Sequence, residues 1–203
     1  MKTIQNNNAF TLVEFLVYLV LSGIVATSII NLFITNSQVH QHQENITTTF
    51  QEVRTALSII AGDIRSAGCD PLKSNTMGFV NDSNDHLDCD SNSIHFTRDI
   101  TGESDGQAIS PDEDICYYLD SDSIIRSDNG DLLVIGDNIT NLSFSYFNSD
   151  GDDITGEVSS GTYTNIRTVE INITAQSGDA DFFTKKANTM SLHTRVKVRN
   201  MGL

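Results

Sequence analysis

The sequence predicts an α+β protein in which a long N-terminal α-helix packs on an antiparallel β-sheet head. Three observations support this fold class. An apolar run from Phe10 to Ile34 contains a single charged residue, Glu14. An apolar stripe at helical spacing then continues to about residue 66. From residue 93 onward, short alternating segments are separated by turn signals. A helix followed by a series of strands is typical of the α+β class.

The apolar run predicts a membrane-spanning helix. Its 25 residues would form about 37 Å of helix, and the hydrocarbon core of a bilayer is about 30 Å thick. The run is too long for the apolar part of a signal peptide. Lys2 lies on the short side of the run and favours a cytoplasmic N-terminus. A water-soluble cytoplasmic protein is therefore excluded.

The stripe that follows predicts an amphipathic continuation of the same helix. Its apolar residues are spaced by three and four positions: Ile46, Phe50, Val53, Leu57, Ile60 and Ile64. No proline occurs before Pro71, so one helix over residues 11–66 is expected, with Gly68 as its stop. We expect the stripe to pack on the head, and a free coiled coil is the alternative. Asp63 and Arg65 are interpreted as ties to the head or to neighbouring subunits, or as a solvated face.

The head is predicted from short alternating segments. The expected strands are 93–98, 115–120, 123–127, 132–135, 142–148, 166–175 and 191–199. Asp128-Asn129-Gly130-Asp131 indicates a tight hairpin between two of them. These strands predict one antiparallel sheet whose apolar face lies on the amphipathic half of the helix.

The charges are unevenly distributed along the 203 residues. The formal net charge is −15 and the pI is about 4.4. Residues 82–153 hold 18 acids against two bases, whereas residues 182–203 hold five bases and no acidic side chain. Proteins that bind nucleic acid need Lys and Arg against the phosphates, so no nucleic-acid partner is expected.

The acidic segments raise the question of a metal site. Residues 72–114 are expected to form surface loops that are simply solvated. Calcium is the alternative, because carboxylate and carbonyl oxygens suit a hard cation. Asn148, Asp150 and Asp152 resemble the opening of a calcium-binding loop, and residues 101–106 are a second loose candidate. No firm metal site and no other cofactor are predicted.

The three cysteines are Cys69, Cys89 and Cys116. A disulfide between Cys69 and Cys89 is favoured, a Cys69–Cys116 bond is the alternative, and the absence of a bond is the third interpretation. The sequence has no common zinc-ligand spacing and no nucleophile, phosphate-loop or metalloprotease motif. We therefore expect no enzymatic activity.

The segment Ala9-Phe10-Thr11-Leu12-Val13-Glu14-Phe15 resembles the processing site of type IV prepilins and of the pseudopilins of type II secretion. The resemblance implies cleavage by a prepilin peptidase between Ala9 and Phe10 and methylation of the new N-terminus at Phe10. Glu14 would then be the fifth mature residue. Ala9 stands where the family usually has Gly, which bears on the efficiency of cleavage.

Two further regions resemble particular members of that family. Residues 51–71 are similar to the end of the long helix in W-type minor pilins and J-type pseudopilins. Residues 138–146, 166–171 and 195–200 follow the order of the last strands in W-type minor pilins. The resemblance implies four segments: a leader at 1–9, a transmembrane and assembly half of the helix at 10–34, an amphipathic half at 35–67 and a periplasmic head at 68–203.

The family supplies a role for Glu14 and a set of partners. The resemblance implies that Glu14 of one subunit pairs with the Phe10 amine of the next, whereas a Glu14 hydrated at the headgroups is the alternative. It implies a minor pilin or pseudopilin in the bacterial inner membrane, with a cytoplasmic N-terminus and a periplasmic head, that later enters a pilus or pseudopilus or reaches the cell surface. Expected partners are the prepilin peptidase and methyltransferase, other pilin or pseudopilin subunits and the inner-membrane assembly platform. The alternative function is a membrane-anchored adhesion or substrate-binding module that uses the pilin export route.

Overall fold

The long helix α1 extends from Leu12 to Ser66, which confirms the predicted helix. The structure is a computed structural model, and it describes residues 11–81, 88–100, 105–158, 163–180 and 187–201. The chain divides into two compact units, Met1–Glu44 and Asn45–Leu203, and α1 contributes residues to both.

The buried face of α1 lies in the second unit and differs in part from the predicted stripe. Val53, Ile60 and Ile64 are fully buried as expected. Phe50 is exposed, and small side chains at Thr49, Ala56 and Ala61 are buried in its place. At Ala56 the helix lies against the head, since a Cβ placed at Gly136 would be 3.6 Å from the Cβ of Ala56, an ordinary contact distance. The helix therefore packs on the head through small residues as well as large ones.

In the described part of the head, seven strands and one short helix follow α1, and all seven predicted strands are present. Their bounds are β1 (Ile94–Thr97), β2 (Asp114–Asp120), β3 (Ser123–Asp128), β4 (Asp131–Gly136), β5 (Ile139–Phe147), α2 (Thr155–Val158), β6 (Thr168–Ala180) and β7 (Ala187–Lys197). Every pairing between them is antiparallel. The α+β class is confirmed, while the short helix α2 was not predicted.

The prediction of one sheet is wrong, because the strands form two. Strands β1–β4 make a four-stranded sheet in sequence order, and β5–β7 make a three-stranded one. The chain changes sheet at Asp137 and Asn138, where Asn138 adopts a φ of 59° and its carbonyl accepts the Gln176 N–H of β6 at 2.9 Å. The left-handed backbone at Asn138 turns the chain away from β4 before it can pair again.

Both sheets and α1 contribute to one apolar core in the second unit. The core includes Ile60 and Ile64 of α1 together with Phe96 and Phe144 from the two sheets. A hydrogen bond from the Tyr146 hydroxyl to the Ser93 carbonyl, 3.0 Å long, links β5 to the chain just before β1. The core thus fixes the end of α1 against the head, which positions the charged groups described below.

Candidate functional site

The first candidate site is the N-terminal end of α1, where Thr11 caps the helix. The Glu14 N–H donates to Thr11 Oγ1 at 3.2 Å, and the Phe15 N–H donates to the Thr11 carbonyl at 3.1 Å. Thr11 is therefore the N-cap and Glu14 the third helical residue, the Thr-x-x-Glu spacing of a capping box. A carboxylate in the first turn is also stabilised by the partial positive charge of the helix N-terminus. This capping pattern was visible in the sequence but was not used there.

Glu14 lies in a segment whose apolar surface is uncovered. Every residue from Thr11 to Asn36 is exposed, and the helix contains an 18-residue window of mean hydropathy 2.2 that is not buried at all. Glu14 has no ion pair within the described ranges, and Phe10 lies outside them. The segment therefore presents one carboxylate on a helix that needs an apolar environment around it.

The polar side chains of this segment are compatible with that environment. The hydroxyls of Ser22, Thr27 and Ser28 donate to carbonyls three or four residues earlier in the same helix, at 2.8–2.9 Å. In a bilayer every polar group must find a hydrogen-bond partner within the protein, and these three hydroxyls find theirs in the backbone of their own helix. Glu14 remains the group in the segment that no described side chain neutralises.

The second candidate site ties the other end of α1 to the head through Asp63. The Asp63 carboxylate accepts a hydrogen bond from Arg98 Nη1 at 3.1 Å and from Arg126 Nε at 3.2 Å. It also accepts the Tyr117 hydroxyl at 2.5 Å. Arg98 follows β1, Tyr117 lies in β2 and Arg126 in β3. One helical carboxylate therefore reaches three consecutive parts of the four-stranded sheet.

The two arginines of this cluster have further acceptors. Arg126 also pairs with Asp128 at 3.0 Å and with Asp112, and Arg98 donates to the Asp112 carbonyl at 2.6 Å. Burial would lower the pKa of the Arg126 guanidinium, but Asp128, Asp112 and Asp63 together raise it. The guanidinium therefore stays charged and paired.

Tyr117 stays protonated in the same cluster. Burial and the adjacent Asp63 carboxylate raise the pKa of its hydroxyl. The hydroxyl therefore remains a hydrogen-bond donor to Asp63 at any physiological pH. Of the two helical charges interpreted as ties, Asp63 contacts the head through its side chain, whereas the side chain of Arg65 is exposed.

No disulfide joins the three cysteines, which all lie in the described part of the chain. The Cys69 carbonyl accepts the Asp99 N–H, while Cys89 Sγ lies 3.0 Å from the His95 carbonyl and 3.3 Å from the His95 amide. Cys116 is the cross-strand partner of His95. Whether a Cys69–Cys89 bond, a Cys69–Cys116 bond or no disulfide forms stays a prediction, and counting free thiols in denaturant tests it.

The calcium candidate at residues 148–152 is a tight turn. Asn148 Oδ1 accepts the N–H groups of Asp150 and Asp152, both at 2.9 Å, and Asn148 Nδ2 donates to Asp152 Oδ2 at 3.2 Å. These contacts already engage the Asn148 oxygen that a cation would use. Within the described ranges no group of three His, Cys, Asp or Glu side chains is arranged to hold a metal. Calcium binding stays a prediction, and a chelator that leaves the melting temperature unchanged would contradict it.

Some predicted positions lie outside the described residues. These are the processing residues Ala9 and Phe10 and most of the second calcium candidate, residues 101–104. Their roles rest on the sequence.

An exposed apolar helix has one carboxylate near its start that no described residue pairs, and an amphipathic half continues it and packs on a β-rich head. These features define a membrane-anchored protein built like a pilin. Residues 4–30 match the family model described as the prokaryotic N-terminal methylation motif. No curated protein matches the chain in a sequence comparison. The chain is therefore type IV pilin-like, and its motif is typical of structural subunits that a prepilin peptidase processes.

Proposed function

We propose that the chain is a minor pilin or pseudopilin, a structural subunit of a type IV pilus or of a type II secretion pseudopilus, and not an enzyme. It is stored in the bacterial inner membrane with a cytoplasmic N-terminus and a periplasmic head. A prepilin peptidase cuts between Ala9 and Phe10 and methylates the Phe10 amine. The inner-membrane assembly platform then transfers the subunit into a filament with other pilin or pseudopilin subunits, and it contributes to filament priming.

The observation that carries the proposal is Glu14 at the fifth position after the cleavage site. A carboxylate inside an apolar segment costs at least a few kcal/mol unless it finds a partner. Cleavage creates a positive amine at Phe10, and the amine of a neighbouring subunit is a partner of the right charge. A buried polar pair of this kind also sets the axial register between helices.

The N-terminus of the mature chain tests the processing step. Mass spectrometry of the protein from its native host should find a chain that begins at N-methylated Phe10. Replacing Ala9 with Gly, the usual residue of the family, should leave the cleavage site unchanged and cleave at least as fast. A mature chain that still begins at Met1 would contradict the proposal.

Glu14→Leu tests the assembly step. The variant should insert into the membrane at wild-type levels, because removing a charge favours insertion. Its incorporation into filaments should fall at least about tenfold, since the neighbouring Phe10 amine is left buried and unpaired.

Ser22→Leu is the matched control for that variant. It places the same side chain in the same exposed segment and removes a hydroxyl that bonds only to its own helix. It should assemble normally. If Glu14→Leu entered sheared filaments as well as Ser22→Leu does, pairing of Glu14 would not drive assembly.

A further inference from the structure

Strand β4 is an open sheet edge with an apolar surface. It is the last strand of the four-stranded sheet, and Leu132, Leu133 and Val134 are all more than half exposed. Edge strands normally avoid such surfaces because unpaired backbone groups next to apolar side chains recruit another strand. No proline or charged side chain interrupts these three residues, so β4 has the character of an edge that is covered in an assembly.

The register of the hairpin shows which backbone groups of β4 point outward. Asp128 and Asp131 close a two-residue turn in which Asn129 and Gly130 have φ values of 49° and 91°. The two residues that flank such a turn form a hydrogen-bonded pair. Along the hairpin, hydrogen-bonded pairs then alternate with pairs that are not hydrogen-bonded. Leu132 and Val134 are therefore in non-hydrogen-bonded pairs with β3. Their N–H and C=O groups face the open edge.

Strand β7 is the open edge of the three-stranded sheet and has the opposite charge. The Val198 N–H donates to the Arg167 carbonyl, which places Lys197 opposite Thr168 in a non-hydrogen-bonded pair. By alternation, the backbone groups of Arg195 and Lys197 also face outward.

A groove of about 420 Å³ runs along the β7 edge beside the end of α1. Its walls are formed by Arg65 and by residues 195–199. Arg195 is engaged with Glu170 and lies over the Phe147 ring at 4.4 Å. The side chains of Arg65, Lys197 and Arg199 have no ion-pair partner within the described residues. Within the described residues, three of the cations that line the groove therefore have no acidic partner, and they lie along the side of β7 that pairs with no other strand.

The two edges are complementary in charge. Exposed carboxylates, Asp131 and Asp137, flank the apolar residues of β4, whereas exposed cations line β7. One chain carries both surfaces in the second unit, so one copy can offer β4 while the next offers β7. A contact between two different surfaces of the same chain is heterologous and can be repeated in an open series of subunits.

We propose that β4 of one copy adds to the β7 edge of a second copy, with Asp131 and Asp137 facing the cations of the groove. Backbone pairing through Leu132 and Val134 joins the two sheets across the subunit boundary. A strand of six residues buries little area and forms a weak contact on its own. Anchoring both copies by their N-terminal helices raises their effective concentration, so a weak contact suffices.

Charge reversal tests the pairing in the full chain held in detergent micelles or vesicles, with chemical cross-linking of copies as the readout. Asp131→Lys and Lys197→Glu should each lower the yield of cross-linked copies, by about fivefold. Mixing the two variants should restore it, because each variant's altered edge is then matched by the other. Glu44→Lys and Arg54→Glu change exposed charges on α1, outside the two strand edges, and should leave the yield unchanged.

The apolar residues of β4 provide a second test. Leu132→Asp should abolish the cross-link, whereas Ile109→Asp should not. Leu132 and Ile109 are both 66% exposed, so an acid at either position is equally well solvated in a single copy. Far-ultraviolet circular dichroism checks that the variants remain folded.

Three results would overturn the proposal: no cross-linking of wild-type copies, no recovery on mixing, or equal effects of Leu132→Asp and Ile109→Asp. The proposal deepens the proposed function by naming a contact between heads, but its readout needs no pilus machinery. Loss of the cross-link with normal trimming before Phe10 would reject only the strand pairing. Cross-linking without trimming would reject only the processing step.

Discussion

Removing the Asp63 carboxylate tests whether α1 is held to the head by charge as well as by packing. The side chains of Arg98 and Arg126 are 5% and 11% exposed, and that of Asp63 is 20% exposed. Asp63→Ala removes one hydrogen-bond acceptor from the guanidiniums of Arg98 and Arg126 and from the Tyr117 hydroxyl, all of which are largely buried.

The magnitude follows from what each partner retains. Breaking a buried ion pair costs about 3–5 kcal/mol. The cost is lower here, because Arg126 keeps Asp112 and Asp128, Arg98 keeps the Asp112 carbonyl, and water reaches Asp63. We expect a loss of about 2–3 kcal/mol, which is a fall of about 5–10 °C in melting temperature for a unit of this size.

The assay is thermal unfolding of the full chain in micelles, followed by near-ultraviolet circular dichroism. The chain has no tryptophan, so the buried rings of Tyr117 and Tyr146 dominate that signal. Glu52→Ala is the matched control, since it makes the same change at an exposed site on the same helix and should shift stability by less than about 0.5 kcal/mol. Equal shifts for Asp63→Ala and Glu52→Ala would refute the proposed tie.

Two further predictions concern the end of α1 and the buried thiol. Gly68→Ala should lower the melting temperature, because Gly68 has a φ of 70° and an added Cβ would lie 2.8 Å from Met201 Sδ. At Gly62 an added Cβ meets open space, so Gly62→Ala should stabilise the helix by up to about 1 kcal/mol. Burial raises the pKa of the Cys89 thiol from 9.0 to about 12, so at pH 8 mass spectrometry should find Cys69 alkylated well before Cys89. Because the folded pKa is above the unfolded one, the stability linked to the neutral thiol is complete below pH 9 and is lost as pH rises to about 12. Equal alkylation rates, or equal effects of the two glycine variants, would contradict these expectations.

Local patterns in the sequence predicted the elements of the head well. The Asp-Asn-Gly-Asp turn forms between β3 and β4 as expected, since only a few residue types accept the positive φ values that it needs. Gly68 ends α1 for a similar reason. Such features depend on a few neighbouring residues, so the sequence alone suffices to predict them.

The tertiary arrangement was less predictable. The division into two sheets depends on the backbone of Asn138, and alternation of apolar residues is the same for one sheet or two. The buried face of α1 includes Ala56, which contacts Gly136, a residue 80 positions away in the sequence. The partners of Asp63 are likewise distant in sequence, so the spacing of Asp63 and Arg65 indicated a tie but not its acceptor. Long-range packing decides such features, and local periodicity does not encode it.

The proposed function places α1 first in the membrane and later among the helices of a filament. Glu14 gives a physical reason for leaving the membrane. The exposed apolar segment is covered equally well by lipid or by neighbouring helices, because both are apolar. Covering that segment therefore gives little preference for the filament. Glu14 does give one, since its carboxylate costs a few kcal/mol in lipid and is neutralised only where another subunit's amine lies beside it. On this argument the charge that makes the stored subunit less stable is also the charge that makes assembly favourable, so Glu14→Leu should insert normally and yet assemble poorly.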